Sequence, residues 1–97
     1  MNIRIFMTQQ GQIIGEVVDE YESGGVPVRI RLRNAAALGI NGQNVQFVPL
    51  GQFVEDKEFD LNPDMLLMRN SFEPVTQLAN KYRELFGSGI QVVSSMN

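Results

Sequence analysis

The chain has 97 residues, 43% hydrophobic and 20% charged, a composition typical of one small globular domain and unlike that of a disordered segment. It contains no cysteine, histidine or tryptophan, which excludes disulfide bonds, zinc sites of the usual kind and catalysis by a cysteine or a histidine. Its 8 basic and 11 acidic residues give a net charge of −3, so only a local basic patch could attract nucleic acid. We expect a single domain over residues 1–97 that is not an enzyme and uses no cofactor or metal.

The sequence carries no pattern of a signal peptide or of a membrane-spanning segment. Arg4 interrupts the apolar start of the chain before it reaches the length of a signal-peptide core. The longest apolar run, from Ala35 to Ile40, is far too short to cross a bilayer. The predicted location is therefore the cytoplasm of the cell that makes the protein.

Alternating hydrophobic and polar residues predict short strands before Ser71. The strands are expected at residues 3–8, 12–22, about 27–34, about 45–54 and 65–69. Residues 35–44 remain open between an extension of the third strand and a short helical turn, and residues 55–64 are expected to form an acidic connection. Gly15 lies inside the second strand and marks a bulge or a sharp bend, which a small barrel needs. Hairpins without an intervening helix predict a mainly β fold, a small antiparallel sheet or barrel over about residues 2–71.

The first strand has two dissimilar faces. Ile3, Ile5 and Met7 share one face. Phe6 lies on the opposite face, where an outward aromatic side chain indicates a contact with another subunit.

The pattern changes after Ser71, where apolar residues recur at helical spacing. The members of this stripe are Val75, Leu78, Ala79, Tyr82, Leu85 and Phe86. They predict a C-terminal helix over about residues 73–86, with Pro74 in its first turn and a glycine-rich end at 87–89. We expect this helix to cap the open end of the barrel with Tyr82 and Phe86 as core anchors, although the stripe could instead dock a partner. Residues 90–93 are expected to add a short last strand.

Three arginines alternate along the third predicted strand and share one of its faces: Arg29, Arg31 and Arg33. We call them the arginine stripe. They could face phosphate groups, since guanidinium groups suit two-pronged contacts with phosphate. Alternatively, they could form cross-strand ion pairs with three glutamates that share a face of the second strand, Glu16, Glu20 and Glu22.

An acidic run follows the fourth predicted strand. Asp60, Asn62 and Asp64 have the spacing that opens a calcium-binding loop, but Met65 stands where that loop needs glycine and Ser71 where it needs glutamate. A solvated acidic hairpin is therefore expected in place of a metal site. The chain also lacks a glycine-rich phosphate loop.

The elements follow the order strand, Gln-Gln-Gly-Gln turn, glycine-bent strand, loop, strand, long hairpin and short strand ending in Arg69-Asn70. This order resembles the Sm/LSm family of small bent barrels that form RNA-binding rings. Gly11 and Gly15 match the two glycines of the family's first motif, and residues 66–70 match the second motif with Asn70 in place of a glycine. The chain also resembles Sm-like proteins of marine cyanophages over about residues 3–90. That resemblance is carried by Gly11, Ile13 to Val18, Pro74 to Tyr82 and Phe86 to Ile90.

The resemblance implies a strongly bent five-stranded antiparallel Sm-like (SH3-like) barrel, with a C-terminal helix in place of the family's N-terminal one. It implies a homo-oligomeric ring of roughly five to seven subunits, closed by main-chain pairing between neighbouring subunits. Single-stranded RNA, or DNA, is the implied partner, and no membrane is. The implied binding residues are Arg69, Asn70 and Tyr21, with the arginine stripe as a further contributor.

A second function remains open: a phage-encoded structural or adaptor module that binds protein partners through the same ring. The net charge of −3 per subunit, multiplied around a ring, favours it. A phage origin would place the protein in the host cytoplasm.

Overall fold

The computed structural model describes residues 2–51 and 53–87, and their fold is mainly β. Five strands form one antiparallel sheet: β1 (Ile3–Thr8), β2 (Gly11–Ser23), β3 (Val26–Asn41), β4 (Asn44–Pro49) and β5 (Glu58–Leu61). A 3-10 turn (Pro63–Met65) follows β5, and the short helix α1 (Thr76–Tyr82) continues into a π-helical turn (Arg83–Gly87). The predicted five-stranded antiparallel sheet with a C-terminal helix is thus confirmed.

The central strand is β3, which is paired along both edges. One edge pairs with β2, and the other pairs first with β5 and then with β4. β1 lies on the outer edge of β2, and within the described residues the sheet does not close into a continuous barrel. Two isolated bridges, Ile5 with Phe72 and Thr8 with Leu66, attach the segment 66–72 to the other edge of β1.

The pairing of β2 with β3 is irregular near Gly15. The register between the two strands shifts between Ile14 and Glu16. On β3, Asn34 adopts the left-handed conformation with φ of 53°, which asparagine tolerates better than most residues. A Cβ atom on Gly15 would lie 3.4 Å from Ala35, so glycine permits the close approach of the two backbones. The predicted irregularity at Gly15 is therefore confirmed, and bulges of this kind bend a sheet.

Buried apolar residues form two clusters. The first consists of Phe6, Ile13, Ile30, Leu32, Ala35 and Leu61. The second consists of Ile3, Ile5, Ile14, Ala36 and Tyr82. Because neighbouring residues of a strand point to opposite faces, β1 contributes to both clusters. Phe6 is only 1% exposed, so the expectation that it points outward to another subunit is wrong. The alternation of β1 predicted one buried face and one exposed face, whereas both faces pack against apolar residues.

The helix α1 covers the second cluster. Tyr82 is 1% exposed and its hydroxyl lies 3.0 Å and 2.8 Å from the carbonyl oxygens of Arg33 and Asn34, which confirms it as a core anchor. The half-buried Phe86 packs with its ring centroid 4.9 Å from that of Tyr82. The helix begins at Thr76 and not at residue 73, because Val75 is still extended. In the described part of the chain, no helix combines the length and the apolar character needed to cross a membrane.

Several predicted strand boundaries differ from the observed ones. Residues 35–41 extend β3, so the ambiguity there resolves in favour of a strand. β4 ends at Pro49 rather than residue 54, because a turn with Gly51 at φ of 67° follows it. The prediction of a strand at residues 65–69 is wrong, since β5 lies earlier, inside the expected acidic connection. The predicted strand at residues 90–93 lies outside the described residues.

Candidate nucleic-acid interface

The arginine stripe lies beside the acidic side chains of β5. Arg33 and Glu58 are directly opposite each other across the β3–β5 pair, and Nη2 of Arg33 lies 2.8 Å from Oε2 of Glu58. Arg33 also lies 3.5 Å from Glu16 of β2. Nε and Nη1 of Arg31 lie 3.2 Å from Glu58 and 3.3 Å from Asp60. The open question about the stripe is therefore answered: these arginines are paired within the chain.

The ion pairs cancel much of the positive charge of the stripe. Hydrogen bonds from Arg33 and Arg31 lower the pKa of the Glu58 carboxyl, and the same contacts raise the pKa of both guanidinium groups. The pairs are open to solvent, which screens them and limits what they add to stability. A phosphate group would have to compete with Glu58 for these donors.

The partners of the stripe agree only in part with those weighed in the sequence. Glu16 forms an ion pair, whereas Glu20 and Glu22 form none within the described residues and lie opposite residues other than arginine. The other partners come from β5, whose sequence Glu-Phe-Asp-Leu alternates as a strand should. That alternation was a usable signal, but the acidic composition of the segment concealed it.

Tyr21 lies near the tip of the β2–β3 hairpin and is 50% exposed. The guanidinium carbon of Arg29 lies 4.9 Å from the centre of its ring, which is the geometry of a cation–π contact. Arg29 also lies 3.7 Å from Asp60. The exposed ring of Tyr21, with Arg29 beside it, is a group of the kind on which an unpaired base can stack.

Arg69 and Asn70 lie in a bent segment that follows the bridge at Leu66, not at the end of a strand. Both are exposed, and neither forms a hydrogen bond or an ion pair within the described residues. The next residue, Ser71, holds Arg4 of β1: its Oγ accepts from Nε at 2.9 Å and its carbonyl accepts from Nη2 at 3.0 Å. The side chain of Arg69 therefore stands on an anchored segment with all its donors available.

The structure separates the sequence-predicted binding residues into two groups. Tyr21 and the arginine stripe lie on β2 and β3, whereas Arg69 and Asn70 lie in the segment beside β1. No hydrogen bond, ion pair or ring contact joins the two groups in residues 2–51 and 53–87. Both groups could contact a single nucleic-acid strand only if that strand passes from one group to the other, on one subunit or across two.

The acidic segment does not form a candidate metal centre. The side chain of Asn62 accepts a hydrogen bond from the backbone N–H of Asp64 at 3.0 Å and caps the 3-10 turn. Among the described residues, no group of three or more acidic, histidine or cysteine side chains is placed to hold a metal ion. Asn62 therefore has a local structural role.

No protein-family model matches the chain, and comparison with curated proteins gives no significant match.

Proposed function

We propose that the chain is a non-enzymatic Sm-like protein that forms a homo-oligomeric ring and binds single-stranded RNA or DNA. The bent five-stranded antiparallel sheet supports the fold part of this proposal. The two bridges that tie Leu66 and Phe72 to β1 are the beginning of the strand pairing that would close a small barrel.

The observation that carries the proposed activity is the unpaired Arg69. It is an exposed guanidinium with no acidic partner in the described chain, next to an exposed amide, Asn70. A guanidinium binds phosphate through two parallel hydrogen bonds, and an amide can bond to the edge of an unpaired base. Tyr21, in cation–π contact with Arg29, supplies an aromatic surface for a second base.

The ring part of the proposal is supported by the free edge of β4. Within the described residues β4 pairs only with β3, so its other edge presents unpaired main-chain groups. Three apolar side chains around this edge are exposed: Ile40, Val45 and Val48. Pairing with a strand of the next subunit would satisfy the backbone and cover them. Repetition around a ring would then combine weak single contacts into useful affinity.

The test is fluorescence anisotropy of short labelled single-stranded RNA and DNA, at low and physiological salt. We expect Arg69→Ala to weaken binding and to reduce the salt dependence by about 0.7 per lost phosphate contact. Lys57→Ala is the matched control, since it removes one exposed cation whose side-chain amino group donates to the carbonyl oxygen of Val54. Equal affinity and salt dependence for wild type and Arg69→Ala would reject Arg69 as a contact.

Binding of a protein partner is the second candidate function. The neutralised arginine stripe, the net charge of −3 and the exposed apolar edge of β4 favour it. The ratio of absorbance at 260 and 280 nm tells whether nucleic acid copurifies with the protein. A ratio typical of pure protein, together with no oligonucleotide binding at low salt, would favour the adaptor function over the first candidate.

A further inference from the structure

A polar cleft of about 320 Å³ lies between the start of β1 and the helix α1. Its polar lining comes from these two elements and from residues next to their ends: Asn2, Arg4, Glu73, Thr76 and Arg83. Pro74 and Ala79 supply apolar surface. The volume lies at the lower end of the range of small-molecule sites, roughly 300–1,000 Å³.

Two guanidinium groups line the cleft, and both are held by neutral partners. Arg4 donates to the side chain and the carbonyl of Ser71 at 2.9 Å and 3.0 Å. Arg83 donates to the side-chain oxygen of Asn80 at 2.9 Å. Neither arginine forms an ion pair within the described residues. Neutral partners fix the position of a guanidinium without cancelling its charge, which is the opposite of the arrangement in the arginine stripe.

Free donors remain on both arginines. Arg4 uses Nε and one proton of Nη2, so Nη1 is unoccupied among its described contacts. Within the described residues, Arg83 uses only Nη1. Glu73 is the one acidic residue of the lining and is not paired with either arginine, so the lining carries a net charge of one positive unit. A ligand group with negative charge and several hydrogen-bond acceptors would therefore bind most favourably here.

We infer that this cleft binds the phosphate group of a nucleotide between Arg4 and Arg83. Two positioned guanidiniums match the acceptors of a phosphate, and Asn2 and Thr76 add neutral hydrogen-bonding groups in the same lining. The nucleotide is either a unit of a single strand or a free nucleotide. With a strand as the source, the inference rests on the function proposed above and adds a second contact surface, beside that of Arg69.

The first test compares two variants of neighbouring cations on the same helical segment. Arg83→Ala removes a cleft cation, and Lys81→Ala removes a cation that lies outside the cleft and is paired with Glu84 at 3.5 Å. We expect Arg83→Ala to weaken binding of a labelled oligouridylate about tenfold, the size expected for a lost charge-assisted contact. Lys81→Ala should change affinity less than about twofold, because an exposed paired charge contributes little. Arg83→Lys keeps the charge but loses the planar guanidinium group. Its affinity for oligouridylate should lie between the affinities of Arg83→Ala and Lys81→Ala.

The second test uses Glu73→Gln, which removes the negative charge of the lining and keeps its shape. We expect oligouridylate to bind this variant about two to three times more tightly than wild type, and with a steeper salt dependence. NMR titration with uridine monophosphate should shift the backbone amides of Arg4, Thr76 and Arg83 in the wild type and not in Arg83→Ala. Uridine, which lacks the phosphate, should leave these amides unchanged, and shifts of equal size with uridine would overturn the inference.

The results separate this inference from the proposed function. If Arg69→Ala weakens strand binding while the cleft variants have no effect and uridine monophosphate shifts none of these amides, the cleft inference is wrong and the proposed function stands. If no oligonucleotide binds at low salt but uridine monophosphate shifts the cleft amides, the cleft is a site for free nucleotides and the proposed function fails. If neither ligand binds, both are wrong.

Discussion

The arginine stripe and the β1–α1 cleft both present guanidinium groups, but different neighbours hold them. In the stripe, Arg31 and Arg33 are bound by carboxylates of β5 and β2. In the cleft, Arg4 and Arg83 are bound by a serine and an asparagine. The stripe is the more conspicuous feature of the sequence, yet the cleft has the more available positive charge. The partner of an arginine, and not its place in a pattern, decides whether it can bind a phosphate.

Tyr82 connects these two regions. It lies on α1, which forms one wall of the cleft, and its hydroxyl reaches the backbone of Arg33 beneath the stripe. We expect Tyr82→Ala to lower the free energy of unfolding by about 3–5 kcal/mol, the usual range for removing a buried aromatic side chain. The cleft should lose its anion binding, because Thr76, Ala79 and Arg83 are all carried by this helical segment. Urea unfolding followed by circular dichroism gives the stability.

If Tyr82→Ala left both stability and anion binding intact, the cleft would not depend on the packing of the helix. Tyr21→Ala is the control, because Tyr21 is half exposed and contributes to neither apolar cluster. Its effect on stability should be well under that of Tyr82→Ala.

The hydroxyl of Tyr82 also makes the helix attachment sensitive to alkaline pH. Burial, with a smaller effect from the charge of Glu16, raises the pKa of Tyr82 above its ordinary value. The folded protein therefore retains the proton at a pH where the unfolded chain, with a tyrosine pKa of about 10, has lost it. The stability that the buried hydroxyl contributes should be fully present below the unfolded pKa of about 10. It should be lost progressively as the pH rises above that value towards the higher pKa of the folded state.

Tyr82→Phe tests this sensitivity. We expect it to cost about 1–2 kcal/mol near neutral pH, because the carbonyls of Arg33 and Asn34 lose their shared donor. It should also reduce the loss of stability between neutral and alkaline pH, measured by urea unfolding in parallel with wild type. Tyr21→Phe should keep the wild-type pH profile. If all three proteins lose stability equally at high pH, the buried hydroxyl is not the cause.

Much of the fold could be predicted from the sequence, because local patterns determined it. The alternation in residues 3–8, the glycine at position 15 and the apolar stripe ending at Phe86 each specify an element without reference to the rest of the chain. The errors arose where a tertiary contact decides the outcome. Phe6 faces outward only if β1 has one buried face, and β5 is recognised as a strand only from its pairing with β3.

The candidate site was less predictable than the fold. Arg69 and Asn70 could be selected from the sequence because they end a segment that resembles the second motif of the Sm/LSm family. That neither has a partner among the described residues depends on the folded structure. The cleft could not be found at all, because Arg4 and Arg83 are far apart in the sequence and are brought together by α1 packing beside β1. Charge alternation drew attention to the stripe, and no local pattern marked the two isolated arginines.

Freeing the stripe is the sharpest way to test the contrast between the two regions. Glu58 accepts hydrogen bonds from both Arg31 and Arg33. Glu58→Gln should therefore remove a negative charge that offsets the positive charge of these two arginines. We expect binding of labelled oligouridylate to become about two to three times tighter, with a salt dependence that rises by no more than about 0.7 per new phosphate contact. The gain is limited because Asp60 still pairs with Arg31 and Glu16 with Arg33. Glu55→Gln makes the same charge change at an exposed position outside the stripe and should have little effect. If both variants behave alike, the stripe does not face the nucleic acid, and ion pairing is not what keeps it from binding.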